Sequence, residues 1–400
     1  MRKLYTIFSL LLISNFLFSQ TLLDERALIS FDKGLGFHSP DSCFGLNLRF
    51  RIQNRVALNT ESEKDLSIET VDARTSRLRL RLDGYLLNQK LTYVLQLGFS
   101  KYDMEGTLDG SSNIVRDAIV YYNFTPDFYV GFGQSKLPSN RQEIISSGQQ
   151  QFIDRSIVNA YYSLDRDYGL FGYYSRKLGQ AKVNLKGAIT TGEGRNTYTS
   201  DAGLCYTGRV EVLPFGNFTN NGDFSEGDLE HEKTPKLSVA GGYSFNKWAK
   251  RTKGQTGTTL HSKKDLSSVF ADLLFKYWGI AFYSEYMQRI APYSDRDEFG
   301  TNPLLIGYGF ANQLSYTFLS MWEINTRYAF VRQEKNVKMS FPNSDAYTLG
   351  CAKYFKRHAT KIQANFSLIS KDVPSNEPWW EMSYNQTKNF VFQLQLEFGI

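Results

Sequence analysis

Two neighbouring segments carry arginine on every second residue, with apolar side chains between. The first reads Leu46-Asn47-Leu48-Arg49-Phe50-Arg51-Ile52-Gln53 and continues to Arg55; the second reads Arg77-Leu78-Arg79-Leu80-Arg81-Leu82-Asp83. A strand sends successive side chains to opposite faces, so each segment has one apolar face and one cationic face. A soluble antiparallel sheet accommodates such strands by burying one face and solvating the other. A membrane barrel accounts for both faces on both strands, with lipid outside and a water-filled, anion-attracting lumen inside.

The rest of the chain favours the barrel. Alternation continues to the last residue, in strands near 44–59, 74–87, 91–101, 114–124, 128–136, 167–176, 181–191, 202–212, 236–246, 266–276, 278–288, 304–316, 321–333, 345–355, 359–370 and 388–400. That is about sixteen, each near the length a tilted strand needs to cross a bilayer. Short connections at 88–90, 125–127, 177–180, 277 and 356–358 alternate with long polar ones at 60–73, 102–113, 137–166, 192–201, 247–265, 289–303, 334–344 and 371–387. Short periplasmic turns and long external loops alternate this way in outer-membrane barrels. The exception is 213–235, a long acidic stretch where a short turn is due, which we read as a structured periplasmic excursion. The 25 Tyr and 30 Phe against 10 Pro suit strands bounded by aromatic girdles.

The N-terminus has the form of an export signal: Arg2 and Lys3, an apolar run from Leu4 to Phe18, and a cleavage point at Ser19-Gln20. The expected organisation is a removed signal peptide (1–20), a lead-in segment (21–43) and one transmembrane barrel domain (44–400). Cleavage leaves 44 basic against 40 acidic residues. So small a net charge says less about partners than the placement of the charges.

Other chemistries find little support. Cys43, Cys205 and Cys351 are odd in number and widely spaced, forming neither a disulfide framework nor a metal site. His38, His231, His261 and His358 are scattered with no HExxH spacing, and no GxSxG elbow or Walker loop occurs. No catalytic role and no cofactor is expected. The basic-aromatic patch Lys247, Trp248, Lys250, Arg251 and Lys253 reads as an external loop meeting lipid headgroups or solvent rather than nucleic acid.

Arg49, Arg51, Arg55, Arg77, Arg79 and Arg81 are thus the candidate lumenal ladder. In a hairpin of 44–59 with 74–87, Arg55 is expected opposite Arg77 or Arg79. Each opposed pair costs roughly 0.8 kcal/mol in bulk water, so anions in transit or lumenal carboxylates such as Asp83 must offset it. Lys182, Lys186, Arg209 and Arg327 are further lumenal candidates, with Glu211 and Glu323 on the same faces. The longest connection, 137–166, is of a length that is usually functional. Folded into the lumen, it would present Lys136, Arg141 and Arg155 to solutes at a constriction.

The run Arg74 to Arg81 with Gly84, Asp117-Ala118 before an aromatic strand, Gly133-Gln134-Ser135-Lys136-Leu137-Pro138-Ser139-Asn140-Arg141, Asp154-Arg155-Ser156, and Phe31-Asp32-Lys33-Gly34-Leu35 together resemble the phosphate-selective porin O/P family. The resemblance runs from about residue 28 to residue 400. It implies an all-β, sixteen-stranded outer-membrane pore that is trimeric, lined by arginine, and narrowed by an inward-folded third external loop. It places small anionic solutes and outer-membrane lipid as the partners, and Lys136, Arg141 and Arg155 at the constriction. Glu143, Glu211 and Glu323 reduce the positive field so implied. Two other readings stand beside a passive anion-preferring channel: a non-conducting outer-membrane barrel with a binding or structural role, and a secreted β-protein that binds acidic polymers.

Overall fold

The computed structural model describes residues 29–30, 34–39, 43–104, 113–197, 201–292, 304–334, 342–374 and 384–400. The expected signal peptide, most of the lead-in segment and parts of several long loops lie outside these residues.

Alternating polarity becomes strand after strand. Two short strands, β1 (Ile29–Ser30) and β2 (Leu35–His38), precede the barrel. Its first half is β3 (Phe44–Thr60), β4 (Ile68–Leu86), β5 (Leu91–Gly98), β6 (Val115–Thr125), β7 (Phe128–Lys136), β8 (Arg166–Leu178), β9 (Ala181–Thr190) and β10 (Cys205–Leu213). Its second half is β11 (Lys236–Arg251), β12 (Thr259–Tyr277), β13 (Ile280–Ile290), β14 (Gly307–Thr317), β15 (Trp322–Gln333), β16 (Ser344–Lys356), β17 (Thr360–Pro374) and β18 (Tyr384–Gly399). Each pairs antiparallel with its sequence neighbours, and β18 returns to β3 through Leu394↔Val56 and Gly399↔Arg51. The sixteen strands from β3 to β18 close a barrel, which removes free sheet edges. Where β18 runs out, β2 takes its place beside β3, with Leu35 opposite Leu48. Among the described residues no helix is long and apolar enough to cross a membrane; the strands do so.

The outer face is apolar. Phe132, Leu170, Leu314, Ile324, Leu349 and Leu394 are exposed there. Phe124, Phe128, Trp278, Phe318, Trp322 and Phe355 are exposed near the short-turn rim and form an aromatic girdle. The inside is filled rather than hollow. The third long connection, 137–165, folds inward and buries Leu137, Ile145, Phe152, Ile153, Val158 and Tyr162. It carries α2 (Arg141–Ile144) and α3 (Ile157–Tyr162); α1 (Lys101–Met104) lies in the second long connection. Ser156 caps α3 by accepting from the Asn159 N–H at 3.1 Å.

The stretch 214–235 also folds inward, from the short-turn rim. Lys276 Nζ donates to the carbonyls of Gly222 (2.7 Å) and Gly227 (2.6 Å), and Asp228 accepts from the Gly279 N–H at 2.8 Å. These ties between the stretch and the β12–β13 turn explain why a long acidic segment stays inside.

Several strands are longer than expected, β4, β11 and β12 among them. β4 begins at Ile68 instead of 74, because its pairing with β3 continues past a register shift to set Ile68 opposite Thr60. β11 and β12 extend to leave only 252–258 between them, so Lys247, Trp248 and Lys250 are strand residues.

Candidate pore and its lining

The arginine ladder lies on the inner face of the β3–β4 hairpin. Arg49 is opposite Arg81 and Arg51 opposite Arg79, but Arg77 is opposite Gln53. A bulge at Ser76 then shifts the register, so Arg55 faces Arg74. This corrects the expected pairing of Arg55 with Arg77 or Arg79: the register that sets Arg77 opposite Gln53 already points Arg55 at Thr75, and the extra residue in β4 moves its partner one step further, to Arg74.

Carboxylates are built into the ladder. Asp83 is bound by both Arg49 and Arg81, the latter at 2.9 Å. Glu397 on β18 takes Arg51 at 2.9 Å. Asp103 of α1 takes Arg79 at 2.6 Å and Arg116 at 2.9 Å. Asp154 of the third loop takes Arg55 at 2.8 Å, and Asp72 bridges Arg55 and Arg74 at 3.1 and 3.3 Å. Arg77 donates to Gln53 Oε1 at 2.7 Å. Among the described residues, counting Arg74 and Arg116 with the six ladder residues, eight guanidiniums meet five carboxylates, so this part of the wall is net positive. Burial raises the Asp103 carboxyl, but its hydrogen bond with Arg79 and the charges of Arg79, Arg116 and Arg77 outweigh this and hold it at about 2.

The third loop is fixed to the opposite wall. Arg141 Nε binds Asp272 at 2.8 Å and its Nη2 donates to Ser238 Oγ at 2.6 Å. Asp272 also takes Arg209, which binds Glu211 at 2.7 Å, and Glu211 holds Lys186 at 2.8 Å. Asn140 donates to Glu285 at 3.0 Å, and Gln151 reaches Ser315 and Glu323 on β14 and β15. Lys361 of β17 donates to the Gln150 carbonyl at 2.7 Å.

This changes the reading of the loop cations. Arg141, expected to face solutes at the narrowest point, is 3% exposed and anchors the loop. The cause is Asp272, a counter-charge 131 residues away that no local pattern announces. Lys136 Nζ donates to the carbonyls of Ile144 (3.3 Å) and Ile145 (3.2 Å) at the end of α2. Arg155 donates to the Gln142 and Ile145 carbonyls at 2.8 and 3.2 Å and pairs with Glu143 at 3.2 Å. Both clamp the loop's own fold while lining the cavities beside it.

Two cavities follow the arginine wall. The one toward the long loops holds about 270 Å³ and is lined by Arg55, Arg74, Arg77, Asp154 and Arg155. The one toward the short turns holds about 340 Å³ and is lined by Arg79, Arg81, Tyr121, Tyr129, Tyr173 and Lys186 among others. Between them Ser146-Ser147-Gly148 crosses to the ladder. Ser146 Oγ accepts from Arg51 and Ser147 Oγ from Arg79, both at 3.0 Å. A Cβ on Gly148 would lie 2.0 Å from Arg51 Cζ, so a larger residue there would displace the Arg51 guanidinium. Arg51 and Arg79 thus tie this tripeptide to the ladder.

The sequence reading missed Asp103, Glu397 and the three tyrosines. The one available signal for the tyrosines is the presence of rings on both faces of 167–176: Tyr173 faces the lumen, while Tyr168 and Tyr174 face lipid.

Structural relatives have the same architecture. OmpT of Vibrio cholerae matches over 90% of this chain and 98% of its own, with TM-score 0.53 and 11% identity. The outer membrane channel DcaP of Acinetobacter baumannii matches over 91% and 99%, with TM-score 0.51 and 12% identity. OprB of Pseudomonas putida matches over 89% and 94%, with TM-score 0.53 and 11% identity. No curated protein matches the sequence. A closed antiparallel barrel with an apolar exterior and an inward third loop is the fold that these outer-membrane proteins share with this chain. The family model for phosphate-selective porin O and P matches residues 46–232, which include the ladder, the third loop and the inserted turn, so this part of the chain is similar to that family.

Proposed function

We propose that the chain is a passive diffusion channel of the outer membrane that prefers small anions, phosphate among them. The observation that carries the reading is the course of the two cavities: both follow the net-positive β3–β4 wall, and the constriction between them is framed by Arg51 and Arg79. Cations at a constriction give an anion preference by raising the local anion concentration. Arg49 and Arg81, each more than a third exposed, meet the solute on the short-turn side. Export with loss of residues 1–20 belongs to the same proposal, as does a homotrimer; a relative, OmpT, has a structure in trimer form.

Reversal potentials of single channels in a KCl gradient test this reading, with higher anion than cation permeability expected. A cation-selective channel would overturn it. Native mass spectrometry in mild detergent tests the trimer separately, and a clean monomer would refute that part alone. The degree of filling favours one other reading, a non-conducting barrel. The third loop and the 214–235 stretch touch through Glu226, which accepts from Gln142 at 3.0 Å and from the Gln151 N–H at 2.8 Å. Bilayers that stay silent with inserted protein would support it.

A further inference from the structure

The cavity on the short-turn side has a composition that a bare inorganic anion does not require. One side is cationic, with Arg81 reaching in. The other is a patch of three tyrosines: Tyr129 and Tyr173 stack at 4.6 Å and 13°, and Tyr121 meets them edge-on at 5.8 and 6.1 Å. Gly131, opposite Tyr121 in the β6–β7 ladder, makes the patch possible, since a Cβ there would lie 2.6 Å from the Tyr121 ring. The inserted 214–235 stretch adds Phe224, whose ring sits 5.5 Å from Lys186 Nζ.

Inorganic phosphate gains nothing from such a surface, since rings strip its hydration and return no hydrogen-bond donors equal to water. A flat ring carrying an acid group gains from both walls. Its acid group finds a guanidinium, and its ring finds aromatic faces whose offset or edge-on contacts add to area burial. The volume of about 340 Å³ falls in the range of small-molecule sites. We infer that this chamber is a binding subsite for organic anions that carry a ring, with the acid group at Arg81 and the ring against Tyr121, Tyr129, Tyr173 and Phe224. The inference rests on the anion-preferring reading above and names the solute class within it.

The test is independent of conduction. Ligand-observed NMR titrates full-length protein in detergent with benzoate, acetate and inorganic phosphate, each in turn. Acetate carries the same acid group without the ring. Benzoate is expected to bind about tenfold tighter than acetate, which corresponds to one or two good ring contacts. The double variant Tyr129→Ala/Tyr173→Ala should lose most of that advantage while leaving acetate and phosphate unchanged. Should that variant fail to fold, Phe224→Ala, which lies on the inserted stretch and not on a strand, should cost benzoate about threefold and acetate nothing. Benzoate binding no tighter than acetate, or equal losses for both in Phe224→Ala, would overturn the subsite. A cation-selective wild type that still binds benzoate through these rings would refute the anion-preferring channel and leave the subsite standing.

Discussion

Asp83 offers a direct measure of the field along the pore. It sits between Arg49 and Arg81 at the short-turn end of the ladder and is partly exposed. Asp83→Asn removes one negative charge and leaves both arginines in place. At about 6 Å in water a carboxylate repels an anion by about 0.7 kcal/mol and attracts a cation equally. Screening at about 0.1 M salt, with a Debye length of about 10 Å, reduces this to about 0.4 kcal/mol. That is nearly twofold in local concentration for each ion, in opposite senses, so the anion-to-cation permeability ratio should rise about fourfold. At about 1 M salt the Debye length falls to about 3 Å and the change should almost vanish. The two arginines then repel across the strand pair at a cost near 0.8 kcal/mol, too little to prevent insertion. The assay is the reversal potential of wild type and variant at both salt levels. An unchanged ratio at low salt would mean that solutes do not pass this end of the ladder, and a shift toward cations would contradict the electrostatic argument itself.

Other variants test the remaining parts. Arg141→Ala leaves Asp272 with Arg209 alone and cuts the loop's anchor, a buried pair whose breakage costs about 3–5 kcal/mol; larger, noisier conductance and faster proteolysis within 137–165 are expected, and unchanged conductance would refute the anchoring role. Leu78→Arg puts a charge on the lipid face, where Leu78 is exposed; a cost of roughly 2–4 kcal/mol near the midplane should appear as lost heat-modifiability on gels. The Asp103 carboxyl, held at about 2 against an ordinary 3.8, gives stability that is complete above pH 4 and lost as pH falls toward 2. Asp103→Asn should therefore lose about 2 kcal/mol at neutral pH and show a smaller further loss than wild type on acidification from pH 4 to 2, followed by unfolding in detergent.

Sixteen strands and their facing were legible because lipid on one side and water on the other impose a strict two-residue period, whereas the inward third loop was suggested by its length and by the family resemblance. The arginine faces were legible for the same reason. Their counter-charges were not. Asp103 comes from the second long connection, Asp154 from the third, and Glu397 from the last strand, which meets β3 only when the barrel closes. Arg141 shows the limit most sharply, since a loop arginine looks alike whether it faces water or Asp272. The inward course of 214–235 was hidden because its anchors, Lys276 and the Gly279 N–H, belong to another turn. A long acidic stretch at a rim suggests an outward excursion when read alone.

The filled interior and the charged wall are two aspects of one arrangement. Two inserted segments, one from each rim, meet through Glu226, which also accepts from Gln151 and donates its N–H to the Gln149 carbonyl at 3.1 Å. The loop is sealed against β11–β15 and β17 by carboxylates, amides and buried cations, and its smallest residues, Ser146 to Gly148, face the ladder. Among the described residues, the space beside the loop therefore lies along β3 and β4. Directly opposed arginines there, Arg49 with Arg81 and Arg51 with Arg79, weaken that strand pair slightly. Asp83, Glu397 and Asp103 offset the repulsion without cancelling the charge, because three carboxylates face these four arginines together with Arg116. Among the described residues, a wall balanced this way keeps a residual positive field beside the two cavities. For the proposed anion-preferring channel, full neutralisation would stabilise the hairpin but remove the preference, and bare arginines would bind anions too firmly to release them, since conduction requires entry and exit alike.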